Sequence, residues 1–167
     1  HELVNYAKKK GILEVAINTN ATTLDKKKSK MLIESGLDVI IFSFDGGTNK
    51  TYEKMRPGRF KENKFDTVYN NIKNFSEIKK EMNAKFPISK IQMILTKESR
   101  NEVDNFFNLF DNVVDDVTIT QYNERGGNID DLTEDQRMKI KTYLSRNNLP
   151  QNTPYLVNFE DDIFISR

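Results

Sequence analysis

Short apolar runs of strand length alternate with amphipathic stretches along most of this 167-residue chain, and nothing else narrows its fold as much. Leu3, Val4 and Ala7 recur at helical spacing, and Gly11 follows the lysines as a stop. Ile12–Ile17 reads as a strand closed by the polar turn Asn18-Thr19-Asn20-Ala21-Thr22-Thr23. Asp25 opens a helix that carries Met31, Leu32 and Ile33 and ends at Gly36. Leu37–Phe44 is almost unbroken apolar sequence, which predicts a strand buried on both faces. Asp45-Gly46-Gly47 interrupts it, a short helix follows over Thr48–Met55, and Pro57-Gly58 forces a turn.

The pattern then repeats. Val68, Ile72, Phe75 and Ile78 mark one face of a long helix over Phe65–Met82. Ile88–Thr96 alternates as a strand, Glu98–Phe110 reads as a helix, and Val117–Thr120 is the core of a fourth strand. Gly126-Gly127 marks a loop, and Thr133 with Gln136 resembles a capping box for a helix running to Leu144. Beyond Pro150 and Pro154 the only strand expected is Ile163–Ile165. The order is a helix and then strand–helix four times, which predicts an α/β fold with a parallel sheet and right-handed crossovers. Four such units cannot close an eight-stranded barrel, so they fit either a doubly wound sheet or an arc of a larger barrel.

Composition removes several function classes. With 26 basic and 25 acidic side chains the net charge is +1, which argues against a nucleic-acid partner. The runs Lys8-Lys9-Lys10 and Lys26-Lys27-Lys28 read as solvated helix faces. No apolar stretch reaches the ~20 residues of a membrane span, and no secretory leader is legible at the start. There is no cysteine and one histidine, at position 1, so disulfides, thiolate metal sites and histidine-based triads have no residues to be built from. A reducing, cytoplasmic location is the default expectation.

In parallel α/β folds, ligands bind beyond the carboxyl ends of the strands. Four polar strand ends are expected on one such rim: Asn18-Thr19-Asn20, then Ser43 with Asp45 and Gly46, then Thr96-Lys97, then Gln121-Tyr122-Asn123. Polar loops after strands are ordinary, so each position also has a purely structural reading. Ser43 interrupts an apolar run, and a buried hydroxyl needs a partner. Asp45 before two glycines fits a turn residue equally well. Arg56, restrained by Pro57, is suited either to gripping a carboxylate or to a surface ion pair. The glycine patterns of dinucleotide and phosphate loops are missing.

Several of these stretches resemble a known family. Asn18-Thr19-Asn20-Ala21 is similar to the Thr-Asn-Gly segment that ends a barrel strand in radical S-adenosylmethionine (radical SAM) enzymes. Phe42-Ser43-Phe44-Asp45-Gly46 and Thr51-Tyr52-Glu53-Lys54-Met55-Arg56-Pro57-Gly58 resemble their Ser-Ile-Asp-Gly and Tyr-Glu-Lys-Ile-Arg-Pro-Gly stretches. Asn70-Asn71-Ile72, and Ile91–Lys97 with Glu102 following, fit as well. The nearest likeness is to the subgroup with a C-terminal auxiliary-cluster (SPASM) domain, whose members modify peptides, proteins and sugars.

The resemblance covers residues 1–125 and implies an arc of a partial TIM-like barrel, with 126–167 leading toward an auxiliary domain. It also implies roles. Ser43 would hydrogen-bond the ribose or amino-acid part of S-adenosylmethionine, and Arg56 would pair with its carboxylate. Thr19 and Asn20 would line the same cleft, and Leu95 would lie near the adenine. Asp45 would shape the turn, or face the substrate side together with Gln121 and Asn123.

The departures matter equally. The family's Cys-x-x-x-Cys-x-x-Cys loop and Gly-Gly-Glu segment are not in this chain, and Ala21 stands where Gly is usual. Without three thiolates no [4Fe–4S] cluster of this kind assembles on these residues. The chain is therefore expected to be an interior piece of a longer radical SAM enzyme, inactive alone, whose parent would modify a peptide, protein or sugar. The alternatives are a cluster-free relative that only binds a ligand or peptide, and an unrelated aldolase-like arc. The aldolase-like arc would need a Schiff-base lysine inside a strand, and Lys90 and Lys97 read only as flanking one.

Overall fold

The computed structural model describes residues 1–58, 64–121 and 164–165. Its elements are α1 (Glu2–Lys9), β1 (Ala16–Thr19), α2 (Lys26–Glu34), β2 (Val39–Ser43), α3 (Asn49–Met55), α4 (Phe65–Glu81), β3 (Ile88–Leu95), a 3-10 turn (Arg100–Glu102), α5 (Val103–Phe110), β4 (Asp116–Gln121) and β5 (Phe164–Ile165). The expected helix at 133–144 and the loop at Gly126-Gly127 lie outside the described residues.

The sheet order is β1-β2-β3-β4-β5, with the first four strands parallel and β5 antiparallel to β4. That order decides between the two architectures left open by the sequence. A doubly wound sheet reverses its strand order at a switch point and covers both faces with helices. Here the order never reverses. Burial alternates strictly along β2 and β3, with Ile40, Phe42, Ile91 and Met93 sealed and their neighbours half-exposed. Among the described residues one face is covered by helices and the other is left uncovered, as in an arc of a barrel. The expectation that Leu37–Phe44 is buried on both faces is thereby corrected. Its apolar residues Val39 and Ile41 lie on the open, lumen-like face, where a parallel strand can still carry β-branched residues.

Two boundaries also differ from expectation. The first strand begins at Ala16 and takes in Asn18 and Thr19, which the sequence pattern assigns to a turn. Ile12 and Leu13 precede it unburied, Leu13 being 93% exposed. Pairing starts only where Asp38 reaches the chain: its carboxylate accepts the Val15 amide at 2.7 Å, and Val15 O accepts the amides of Asp38 and Val39. The helix expected at Glu98–Phe110 is split, because Ser99 turns inward: its hydroxyl donates to Ile94 O at 3.2 Å, and the chain passes through a 3-10 turn before α5.

Between the helices and the covered face lies an aromatic cluster. Phe44 stacks on Tyr52 with centroids 4.1 Å apart and meets Phe65 and Phe110 edge-on. The cluster joins β2 to α3, α4 and α5, so the loop after β2 is anchored on three helices. Asp25 caps α2 by accepting the Lys28 amide at 2.7 Å, as its position predicts.

Candidate active-site rim

The rim is built from the turns that leave β1, β2 and β3. After β1, Thr19 Oγ1 accepts the Ala21 amide at 3.1 Å, and Asn20 Oδ1 accepts the Thr22 amide and hydroxyl at 3.2 and 2.8 Å. These bonds close a tight turn that places Ala21 at φ +55°, in the left-handed region where glycine is at ease. Asn71 of α4 pins the turn from outside, its amide donating to Ala21 O at 2.9 Å.

After β2 the chain enters a second clamp. Thr48 caps α3 through its hydroxyl, which accepts the Thr51 amide at 3.3 Å. Glu102, from the far side of β3, accepts three bonds here: from the Gly47 amide at 2.7 Å, the Thr48 hydroxyl at 2.9 Å and the Thr51 hydroxyl at 2.6 Å. The fit leaves no room for side chains in the loop. A Cβ on Gly46 would meet Tyr52 N at 2.7 Å, and one on Gly47 would meet Glu102 O at 2.6 Å.

Asp45 completes the arrangement. Its side chain is 8% exposed, and its two oxygens are used separately. Oδ1 accepts the Ile94 amide of β3 at 2.7 Å, extending the β2–β3 ladder one step by a side chain, and Oδ2 accepts Arg56 Nε at 2.6 Å. Arg56 ends α3, donating its own amide to Tyr52 O at 2.8 Å, and its side chain stays 24% exposed.

The expected site residues are thus distributed unevenly. Ser43 ends β2 on the open face, half-buried and opposite Gln92, and its hydroxyl has no hydrogen-bond partner among the described residues. Asn20 follows the last paired position, Thr19 opposite Phe42, so it stands level with Ser43. Arg56 and Asp45 are joined to each other. Thr19 falls on the covered side and builds the turn with its hydroxyl. Leu95 also lies on the covered side, 7% exposed, among the core residues. Gln121 ends β4 opposite Leu95, and Asn123 lies outside the described residues.

Sequence reasoning noted Glu102 only as a spacing. The signal available was a pair of threonines three apart at a helix start, which need an acceptor. On the same open face, Lys90 Nζ meets Asp116 at 2.8 Å below Ser43, and Gln92, level with Ser43, donates through Nε2 to Thr120 Oγ1 at 2.7 Å. Lys90 lies within β3, as the expected strand over Ile88–Thr96 also has it, so the reading that it only flanks a strand is corrected; it is held in an ion pair.

Among the described residues no cluster of His, Cys, Asp and Glu could hold a metal, and no helix is long and apolar enough to cross a membrane. At the end of β2 the rim thus offers a half-buried hydroxyl, that of Ser43, and a held, partly exposed guanidinium, that of Arg56. The chain offers no thiolate to an iron–sulfur cluster.

Comparison with known proteins adds to this geometry. The profile of the Radical SAM superfamily matches residues 1–110. No curated protein matches the chain. Among solved structures, TYW1 with a lysine-pyruvate adduct bound is similar at a TM-score of 0.60 and 18% identity, over 87% of this chain and 44% of that one. Streptococcus suis SuiB bound to S-adenosylmethionine is similar at a TM-score of 0.63 and 19% identity, over 89% of this chain and 32% of that one. SuiB bound to the precursor peptide SuiA gives 0.62 and 17%, over 90% and 33%. At such identities the likeness establishes the fold. The chain spans less than half the length of each of these proteins.

Proposed function

The chain belongs to the Radical SAM superfamily, and from that premise we propose that its strand-end rim binds S-adenosylmethionine as part of a longer radical SAM enzyme. The observation that carries the reading is the presence on one rim of a Ser43 hydroxyl with no partner among the described residues and an Arg56 fixed by Asp45. Ser43 would hydrogen-bond the ribose or amino-acid portion, and Asn20, level with it, would line the same cleft. Arg56 would pair with the carboxylate. Thr19 would act through the turn it closes, and Leu95 by backing the rim from the covered side. Gln121 and Asn123 are assigned to the substrate side.

S-adenosylmethionine, when bound beside a reduced [4Fe–4S] cluster, supplies this family with a 5′-deoxyadenosyl radical. This chain's residues do not fit the cluster, so its share of the work is binding and orientation. The substrate class we infer is a peptide or protein, supported by the likeness to SuiB, which is solved with a precursor peptide. Residues 1–125 would form the barrel portion and 126–167 the approach to a SPASM-type auxiliary domain, in a cytoplasmic enzyme. The absence of cysteine also favours a second reading, a cluster-free relative that binds its ligand without catalysis.

Sequencing upstream of His1, followed by S-adenosylmethionine binding to the full-length polypeptide, separates the two. A Cys-x-x-x-Cys-x-x-Cys segment and reductive formation of 5′-deoxyadenosine support the enzyme. Binding with no cysteine motif leaves the ligand-binding relative, and absence of binding rejects both.

A further inference from the structure

Building on the reading that Arg56 meets the carboxylate of S-adenosylmethionine, we propose that Asp45 is the positioning residue that makes Arg56 competent to do so. Arginine grips a carboxylate best with two parallel N–H groups, and its side chain is otherwise free to rotate. Asp45 engages Nε alone, at 2.6 Å. A carboxylate ligand approaching the terminal nitrogens therefore need not displace Asp45. Asp45 is itself held from a second side: it sits directly after β2, 8% exposed, and its other oxygen accepts the Ile94 amide at 2.7 Å. The guanidinium is thus referenced to the backbone of β3, across the rim from its own helix.

The burial of Asp45 has a second consequence. A nearly buried carboxylate stripped of its cation is strongly unfavourable, so Arg56 cannot leave Asp45 to follow a ligand. The ligand adds to an existing pair. Asp45 also cancels part of the charge that would attract a carboxylate, so the arrangement trades attraction for orientation. That trade gives the proposal its test, because removing Asp45 changes charge and orientation in opposite senses.

The experiment is a calorimetric titration of the full-length, cluster-reconstituted protein with S-adenosylmethionine and with 5′-methylthioadenosine, which has the nucleoside and thioether but no amino-acid carboxylate. Asp45→Asn is nearly isosteric and sets an amide where Nε needs an acceptor. The expected result is a loss of about ten-fold in affinity for S-adenosylmethionine, with methylthioadenosine binding unchanged. Arg56→Lys retains the charge and the ion pair but lacks the fork, and is expected to show the same selective loss. If Asp45→Asn fails to fold, Asp45→Glu, which keeps the charge but displaces the carboxylate by one methylene, is read in the same titration with the same selective loss expected, and equal losses for both ligands overturn the proposal.

Equal losses for both ligands would make Asp45 a structural residue and overturn the proposal. Unchanged or tighter binding of S-adenosylmethionine by Asp45→Asn would show that charge outweighs orientation, and would overturn it too. If Arg56→Ala leaves S-adenosylmethionine binding intact, it is the underlying assignment of Arg56 that fails, and the role of Asp45 falls with it.

Discussion

The Gly47 amide and the Glu102 carboxylate, 55 positions apart, meet at 2.7 Å, and this one bond locks the loop after β2 to the segment after β3. Glu102 is exposed enough to be overlooked and connected enough to matter, since Thr48 and Thr51 share it. Gly47→Ala should therefore destabilise the protein by about 2 kcal/mol, because its Cβ would overlap Glu102 O and Asn105 Cβ. Glu102→Gln should cost about 1–2 kcal/mol by leaving donors unmatched. Thermal unfolding of each variant checks both, and a wild-type melting point for Gly47→Ala would contradict the geometry.

Ala21 occupies a left-handed turn at φ +55° while its methyl group is buried. Ala21→Gly relieves backbone strain of about 1–2 kcal/mol but loses the methyl contact and gains unfolded-state entropy of comparable size. Its melting temperature should stay close to wild type. Ala21→Val places a β-branched residue in the same conformation, and should lower stability by about 2 kcal/mol.

Phe44 touches Tyr52, Phe65 and Phe110 at once, so Phe44→Ala removes the centre of the cluster that anchors the rim loop. The expected loss is about 3–5 kcal/mol in denaturant unfolding, the range for a large buried aromatic.

At the opposite end of the sheet, the Lys8 hydrogen bond and then the Val15 amide hold the Asp38 carboxyl below its ordinary range. A group whose folded pKa is depressed stabilises the protein above its unfolded pKa, and that contribution is lost as pH falls through the folded value. Asp115 behaves alike: burial pushes it up, but the bonds from Lys79 and Ser89 outweigh that and leave it lowered. Stability should therefore decline as pH drops below about 4. Asp38→Asn should flatten that decline in melting temperature measured from pH 6 to pH 2.5. An unchanged slope would mean that other carboxylates dominate acid unfolding.

Most of the chain order was legible because each helix and strand announces itself locally: Val68, Ile72, Phe75 and Ile78 on one helical face, and Ile91, Met93 and Leu95 alternating on a strand. The cap at Asp25 and the turn at Asp45-Gly46-Gly47 were equally local, and so was the likeness of Ser43 and Arg56 to a known rim. The contacts that organise the rim join residues far apart in the chain, and only the fold brings those together. No spacing rule pairs Glu102 with Gly47, Asn71 with Ala21, or Asp45 with Ile94. The open face was hidden for the same reason. Val39 and Ile41 are as apolar as Ile40 and Phe42, and composition does not say which face the helices cover. That was settled by where α2, α4 and α5 pack, which placed Leu95 and Thr19 on the covered side and Ser43 on the open one.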